Sequence, residues 1–148
     1  AAAAASEKDD GQKQAVRAAL QGQRLLLCED NHVNAESAQL LLKNMQVEVD
    51  WALNGQEGVE KFQAAAPGYY AAVLMDIRMP VQDGLQATKA IRKLGRANAK
   101  TIPIIAMTAD AFAETIQAAK QAGMDAYVTK PVVPATLYQT IYEQLRRT

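Results

Sequence analysis

From Arg24 to the carboxyl terminus, short apolar runs alternate with amphipathic stretches five times. Leu25-Leu26-Leu27-Cys28, Val73-Leu74-Met75 and Ile104-Ile105-Ala106-Met107 are near-continuous, as strands buried on both faces require. The run Val47-Glu48-Val49-Asp50-Trp51 alternates instead, which places it at a sheet edge. The pattern predicts strands over 24–28, 48–52, 72–75, 102–107 and 126–129, and helices over 33–45, 56–65, 84–94, 112–121 and 134–147. Asn54-Gly55, Pro67-Gly68, Asp83-Gly84, Gly95, Gly123 and Pro131 punctuate them as turns. Strands alternating with helices of this length imply right-handed crossovers and a parallel sheet covered on both sides, an α/β fold. On the first of these helices Asn34, Ala35, Ala38, Leu41, Leu42 and Met45 share the face expected to be buried, whereas Val33 and Leu40 point away. Ala15, Val16, Ala19 and Leu20 are spaced for a short helix over 12–21. Residues 1–22, which open on five alanines, read as a leader or linker ahead of one domain spanning 23–148. A start at Ala1 rather than Met reads as a piece of something longer.

Composition narrows the class without choosing the function. The 148 residues suffice for one domain with a proper core, and sixteen basic residues balance sixteen acidic ones. Nothing in that balance points to nucleic acid or a membrane surface, and no apolar stretch approaches a bilayer span. Cys28 is the single cysteine, so an internal disulfide is excluded, in keeping with a reducing, cytoplasmic setting. It should be a buried strand thiol without chemistry.

The candidate chemistry lies where the apolar runs stop. The first ends at Glu29-Asp30, the third at Asp76, the fourth at Thr108 and the fifth at Lys130-Pro131. In an open α/β sheet ligands bind beyond the carboxyl ends of the strands, so three acids, a hydroxyl and an ammonium are expected at one edge. Clustered carboxylates stay ionised together only if a cation joins them, and oxygen-only ligands favour a hard ion such as Mg²⁺. Asp30 and Asp76 are the expected ligands, with Glu29 direct or through a water and the main-chain carbonyl of Arg78 as a further oxygen. Asp76 would then serve as a nucleophile toward an activated phosphoryl donor, forming an acyl phosphate, with Lys130 and Thr108 on the phosphoryl oxygens.

These residues lie in stretches that resemble the response-regulator receiver domain. The resemblance covers about residues 24 to 147 and rests on Glu29-Asp30-Asn31, Asn54-Gly55, Met75-Asp76-Ile77-Arg78-Met79-Pro80, Asp83-Gly84, Met107-Thr108-Ala109, Gly123-Met124-Asp125-Ala126-Tyr127 and Lys130-Pro131. It implies a flavodoxin-like doubly wound sheet of strand order 2-1-3-4-5 and a cis Lys130–Pro131 peptide. It implies too that Asp76 accepts phosphate from a phosphohistidine on a histidine kinase or histidine phosphotransfer domain. Thr108 and Tyr127 would form the switch, Thr108 moving toward the phosphate and Tyr127 turning inward. The Glu29-Asp30-Asn31 and Met79-to-Gly84 segments are most similar to receivers of hybrid sensor histidine kinases, which sit on the cytoplasmic side of a membrane sensor; a stand-alone response regulator is the alternative.

Other residues carry weaker expectations. Val33 and Leu40 would dock the helical bundle bearing the donor or acceptor histidine, and Arg78 and Asp110 would pair across the mouth of the site. His32, the sole histidine, reads as a solvated loop residue, since one imidazole is a poor metal site; Trp51 carries no reading. A Mg²⁺-dependent phosphatase with an aspartyl nucleophile is a competing function, but it would want an acid two residues after Asp76, where Arg78 stands. No Gly-rich turn for a dinucleotide follows the first strand. A homodimer through the segment from Phe112 to Ile141 is compatible with the sequence.

Overall fold

The computed structural model describes residues 2–79 and 81–147, with side chains from residue 11 onward. Its elements run α1 (Ala2–Leu20), β1 (Arg24–Cys28), α2 (His32–Lys43), β2 (Glu48–Ala52), α3 (Gly55–Ala64), β3 (Ala72–Asp76), α4 (Gly84–Arg92), α5 (Ala97–Thr101), β4 (Ile104–Thr108), α6 (Ala113–Ala122), β5 (Ala126–Thr129) and α7 (Pro134–Arg146). The five strands form one parallel sheet of order β2-β1-β3-β4-β5, so β2 is an edge strand, as its alternation requires.

Period-two alternation divides the strand residues between two cores. Leu26, Cys28, Val73, Met75, Ile104 and Ala106 face the layer built by α3, α4 and α6. Leu25, Leu27, Ala72, Leu74, Ile105 and Met107 face the layer of α2 and α7. Helix starts follow from short polar side chains that accept orphan N–H groups. Asn31 accepts from Asn34, Asn54 from Glu57, and Asp83 from Gln86 in a reciprocal capping box. Asn31 and Asn54 lie just past the carboxyl ends of β1 and β2, so the chain turns sharply there, whereas Asp83 closes a longer loop after β3.

Several boundaries differ from the sequence reading. The leader helix is longer than 12–21 and packs against α7, with Val16 and Leu20 buried in the same core as β1 and α2. Helix α5 was not expected; it is a single turn and a half, too short to show a period, and is seated by buried Ala99, whose carbonyl accepts from Arg92. β4 begins at Ile104 rather than 102, because Ile102 caps α5 and Pro103 has no N–H to give a ladder. β3 extends through Asp76 itself. Asn34 is exposed rather than buried with Ala35, Ala38, Leu42 and Met45, because it lies in the first turn of α2 above the core. His32 opens α2 instead of lying in a loop.

Close backbone contacts make two tests available. A Cβ on Gly84 would lie 2.1 Å from the main-chain oxygen of Asp76. Because that neighbour is backbone, Gly84→Ala should cost about 3 kcal/mol, measured by denaturant unfolding. Cys28 is buried and burial pushes its thiol up to about 12. The thiolate is therefore scarce at neutral pH, and Cys28 should react with iodoacetamide only as the protein unfolds.

Candidate functional site

Three strand ends and the loops after them converge at one edge of the sheet. One carboxylate oxygen each from Glu29, Asp30 and Asp76 lie within 4.8 Å of one another, with Glu29 and Asp76 buried and Asp30 exposed. From the end of β5, the Lys130 ammonium donates to Glu29 Oε1 at 2.8 Å and to Asp76 Oδ2 at 2.9 Å. The cis peptide between Lys130 and Pro131 lies directly after it, and the Lys130 N–H donates to the Thr108 carbonyl at 2.8 Å. The other Asp76 oxygen, Oδ1, accepts from the Arg78 N–H at 3.2 Å.

The electrostatics follow from crowding. Burial pushes the Glu29 carboxyl up to about 7; the adjacent Asp76 carboxylate acts in the same direction, and Lys130 opposes them. Burial works against the Lys130 ammonium, but its bonds to Glu29 and Asp76 prevail and hold its pKa above the ordinary lysine value. One ammonium therefore serves two acids while a third stands alongside. Glu29 Oε2 is buried without a hydrogen-bond partner among the described residues. A buried, unpartnered carboxylate oxygen beside two further acids fits a hard divalent cation, whose ligands are oxygens of this kind. Glu29, Asp30 and Asp76 would hold it.

Asp30 is the member of the cluster that opens onto solvent. An open cavity of about 670 Å³ is lined by Asp30, Arg78, Asp83, Leu85, Glu114 and Thr115, among others. At its rim Arg78, 81% exposed, reaches Asp110 Oδ2 at 3.5 Å, an ion pair of little energetic weight in water. Thr108 is buried, and its hydroxyl is engaged in its own loop, donating to the Asp110 carbonyl at 2.9 Å and accepting from the Asp110 N–H at 3.0 Å. Tyr127 is 45% exposed. Val33 and Leu40 are 70% and 62% exposed on α2.

Sequence reasoning missed some neighbours of the site. Val81, Phe112 and Val133 are exposed apolar residues in the loops after β3, β4 and β5. Val81 adopts a left-handed φ of 68°, which is unfavourable for a β-branched residue. The indole of Trp51 donates to the Glu29 carbonyl, and His32 meets the same ring edge-on. No periodicity reveals such contacts, since they join a strand end to a loop.

A doubly wound parallel sheet with an acidic, lysine-bridged cleft at its carboxyl edge defines a narrow structural class. The sequence model of the response regulator receiver domain matches residues 25–142. The chain belongs to that family, the receivers of two-component signal transduction. It is 34% identical over 131 residues to the peroxide stress-activated histidine kinase mak1 of Schizosaccharomyces pombe, covering 88% of this chain and 8% of that protein. To the sensor protein GacS of Pseudomonas syringae pv. syringae it is 40% identical over 119 residues, covering 80% of this chain and 13% of that one. The chain thus spans a small part of each relative. Among solved structures, the receiver domain of sensor histidine kinase PA1611 from Pseudomonas aeruginosa PAO1 superposes with a TM-score of 0.76 at 35% identity, over 84% of this chain and 98% of the other. That structure holds a magnesium ion coordinated in its active-site cleft. Chemotaxis protein CheY4 of Vibrio cholerae superposes with a TM-score of 0.75 at 27% identity, over 82% and 97%.

Proposed function

We propose that Asp76 accepts a phosphoryl group from a phosphohistidine on a histidine kinase or histidine phosphotransfer domain. The observation that carries this reading is the shared ammonium: Lys130 bridges Glu29 and Asp76 within an acidic cluster whose exposed member, Asp30, lines an open cavity. An Asp76 carboxylate oxygen attacks phosphorus, the P–N bond breaks, and the imidazole leaves with the electron pair and takes up a proton. An acyl phosphate on Asp76 results. Lys130 already lies against the nucleophile and can follow the phosphoryl oxygens as a point charge. The Thr108 hydroxyl would exchange its bonds to Asp110 for one to the phosphoryl group, and Tyr127 would turn inward behind it.

The divalent ion that Glu29, Asp30 and Asp76 would hold, with the Arg78 carbonyl as a fourth oxygen, is Mg²⁺, supported by the ion in the related receiver from Pseudomonas aeruginosa. When bound it neutralises charge on the phosphoryl oxygens. The kinase relatives support a parent hybrid histidine kinase, with this domain on the cytoplasmic side. No described helix is long and apolar enough to cross a membrane.

Incubation with Mg²⁺ and acetyl phosphate tests the reading. A labile adduct of one phosphoryl group per chain is expected, abolished by EDTA. Sustained turnover of a phosphate ester would instead mark a phosphatase, and absence of any adduct would overturn both. For the partner, Val33 and Leu40 form the proposed docking patch. Leu40→Ser should slow transfer from a protein phosphohistidine by about tenfold, as loss of an interface anchor does, and leave labelling by acetyl phosphate unchanged.

A further inference from the structure

The main chain of Glu29 is held on both sides by the end of the edge strand. Its N–H donates to the Ala52 carbonyl at 3.0 Å, and its carbonyl accepts from the indole N–H of Trp51 at 2.7 Å. Trp51 is fixed in turn by its register opposite Leu27 of β1. The ring of His32 then meets the Trp51 ring edge-on, with centroids 5.0 Å apart and planes at 86°. The turn that carries Asp30 is thus gripped at Glu29 and again at His32 by one side chain. A half-exposed indole on an edge strand could satisfy its N–H with water; here it is spent on the carbonyl between two acids of the cluster.

That placement matters because the acids differ in freedom. Glu29 is 1% exposed, and its Oε2 has no hydrogen-bond partner among the described residues. Asp30 is exposed and is placed by the main chain that leads to it. Groups that orient ligands typically govern metal affinity almost as strongly as the ligands do. We infer that Trp51, braced by His32, is a positioning residue that pre-sets Glu29 and Asp30 for a divalent cation. The inference rests on the reading of this cluster as an ion and phosphoryl site.

Calorimetric titration with Mg²⁺ of the whole chain, the Trp51→Phe variant and the His32→Ala variant tests it. Phenylalanine keeps an aromatic ring on the strand and removes the indole donor. Trp51→Phe should weaken Mg²⁺ about tenfold or more, with the rate of acetyl phosphate labelling at saturating Mg²⁺ unchanged. His32→Ala should weaken it about threefold, consistent with the smaller worth of one ring contact. If the unaltered chain binds Mg²⁺ and Trp51→Phe matches it within about twofold, the positioning role is wrong while the site reading stands. If the unaltered chain binds no Mg²⁺, both fall. Should Trp51→Phe fail to fold, the single indole N–H resonance of the unaltered chain decides: slow exchange and a shift on Mg²⁺ saturation are expected, and an unmoved, fast-exchanging resonance overturns the inference.

Discussion

Asp76→Asn should fold normally and lose acyl-phosphate labelling altogether, from acetyl phosphate and from any protein phosphohistidine. The amide is nearly isosteric and can still accept from the Arg78 N–H, so the β3 terminus keeps its local bond. It has no anionic oxygen to attack phosphorus, and among the described residues the other carboxylate bonded to Lys130 is that of Glu29. Glu29 shares the ammonium but is almost completely enclosed. Asparagine also removes one negative charge from the crowd, which relieves the repulsion pushing the Glu29 carboxyl upward. Loss of labelling should therefore accompany an undiminished or slightly raised melting temperature in the absence of divalent ion, checked by calorimetry. Loss of labelling together with unfolding would say that Asp76 is architectural.

The second large effect is expected at Lys130. Lys130→Met preserves the length of the side chain and removes the only ammonium that, among the described residues, touches Glu29 and Asp76. Two buried carboxylates then face each other without a counter-ion, and breaking a buried pair of this kind costs about 3 kcal/mol. The stability deficit should shrink as Mg²⁺ is added, because an ion bound by the folded state alone stabilises it by mass action. Labelling should still fall by about 10²-fold at saturating Mg²⁺, the usual consequence of deleting one charged or hydrogen-bonding group from a transition state. Thermal scans with and without Mg²⁺, paired with labelling rates, separate the structural loss from the chemical one. Equal stability of Lys130→Met and the unaltered chain in EDTA would contradict the bridging geometry.

The strand ends were legible because burial leaves a plain mark. After Arg24, β1 is apolar, as are β3 and β4, until the sheet edge, so the next polar residue, Glu29, Asp76 or Thr108, falls at the edge or just past it. The sheet edge at β2 was equally legible from Glu48 and Asp50, which interrupt its apolar positions. Asn31, Asn54 and Asp83 gave the helix starts for the same local reason, a short polar side chain before an amphipathic stretch.

What escaped was set by contacts far apart in sequence. Nothing near Trp51 says that its indole reaches a carbonyl 22 residues earlier. Helix α5 owes its place to Arg92, which ties Ala99, Gly123 and Asp125 together through one guanidinium. Its own five residues carry no period to read. Helix α1 looked like a leader because its amino-terminal half is polyalanine and charge. Its burial depends on two residues, Val16 and Leu20, and on α7 at the other end of the chain. The resting partner of Thr108 was also invisible: its hydroxyl closes a tight turn on Asp110 instead of facing Asp76.

The phosphoryl group is expected to reside on Asp76. Borohydride reduction of the freshly labelled chain, which converts an acyl phosphate to the corresponding alcohol, followed by peptide mass spectrometry, locates it most directly. Homoserine at position 76, formed only when Mg²⁺ was present, is the expected result. A reduced residue at Asp30 or Glu29, or an unreduced phosphoryl group retained on His32, would contradict the account.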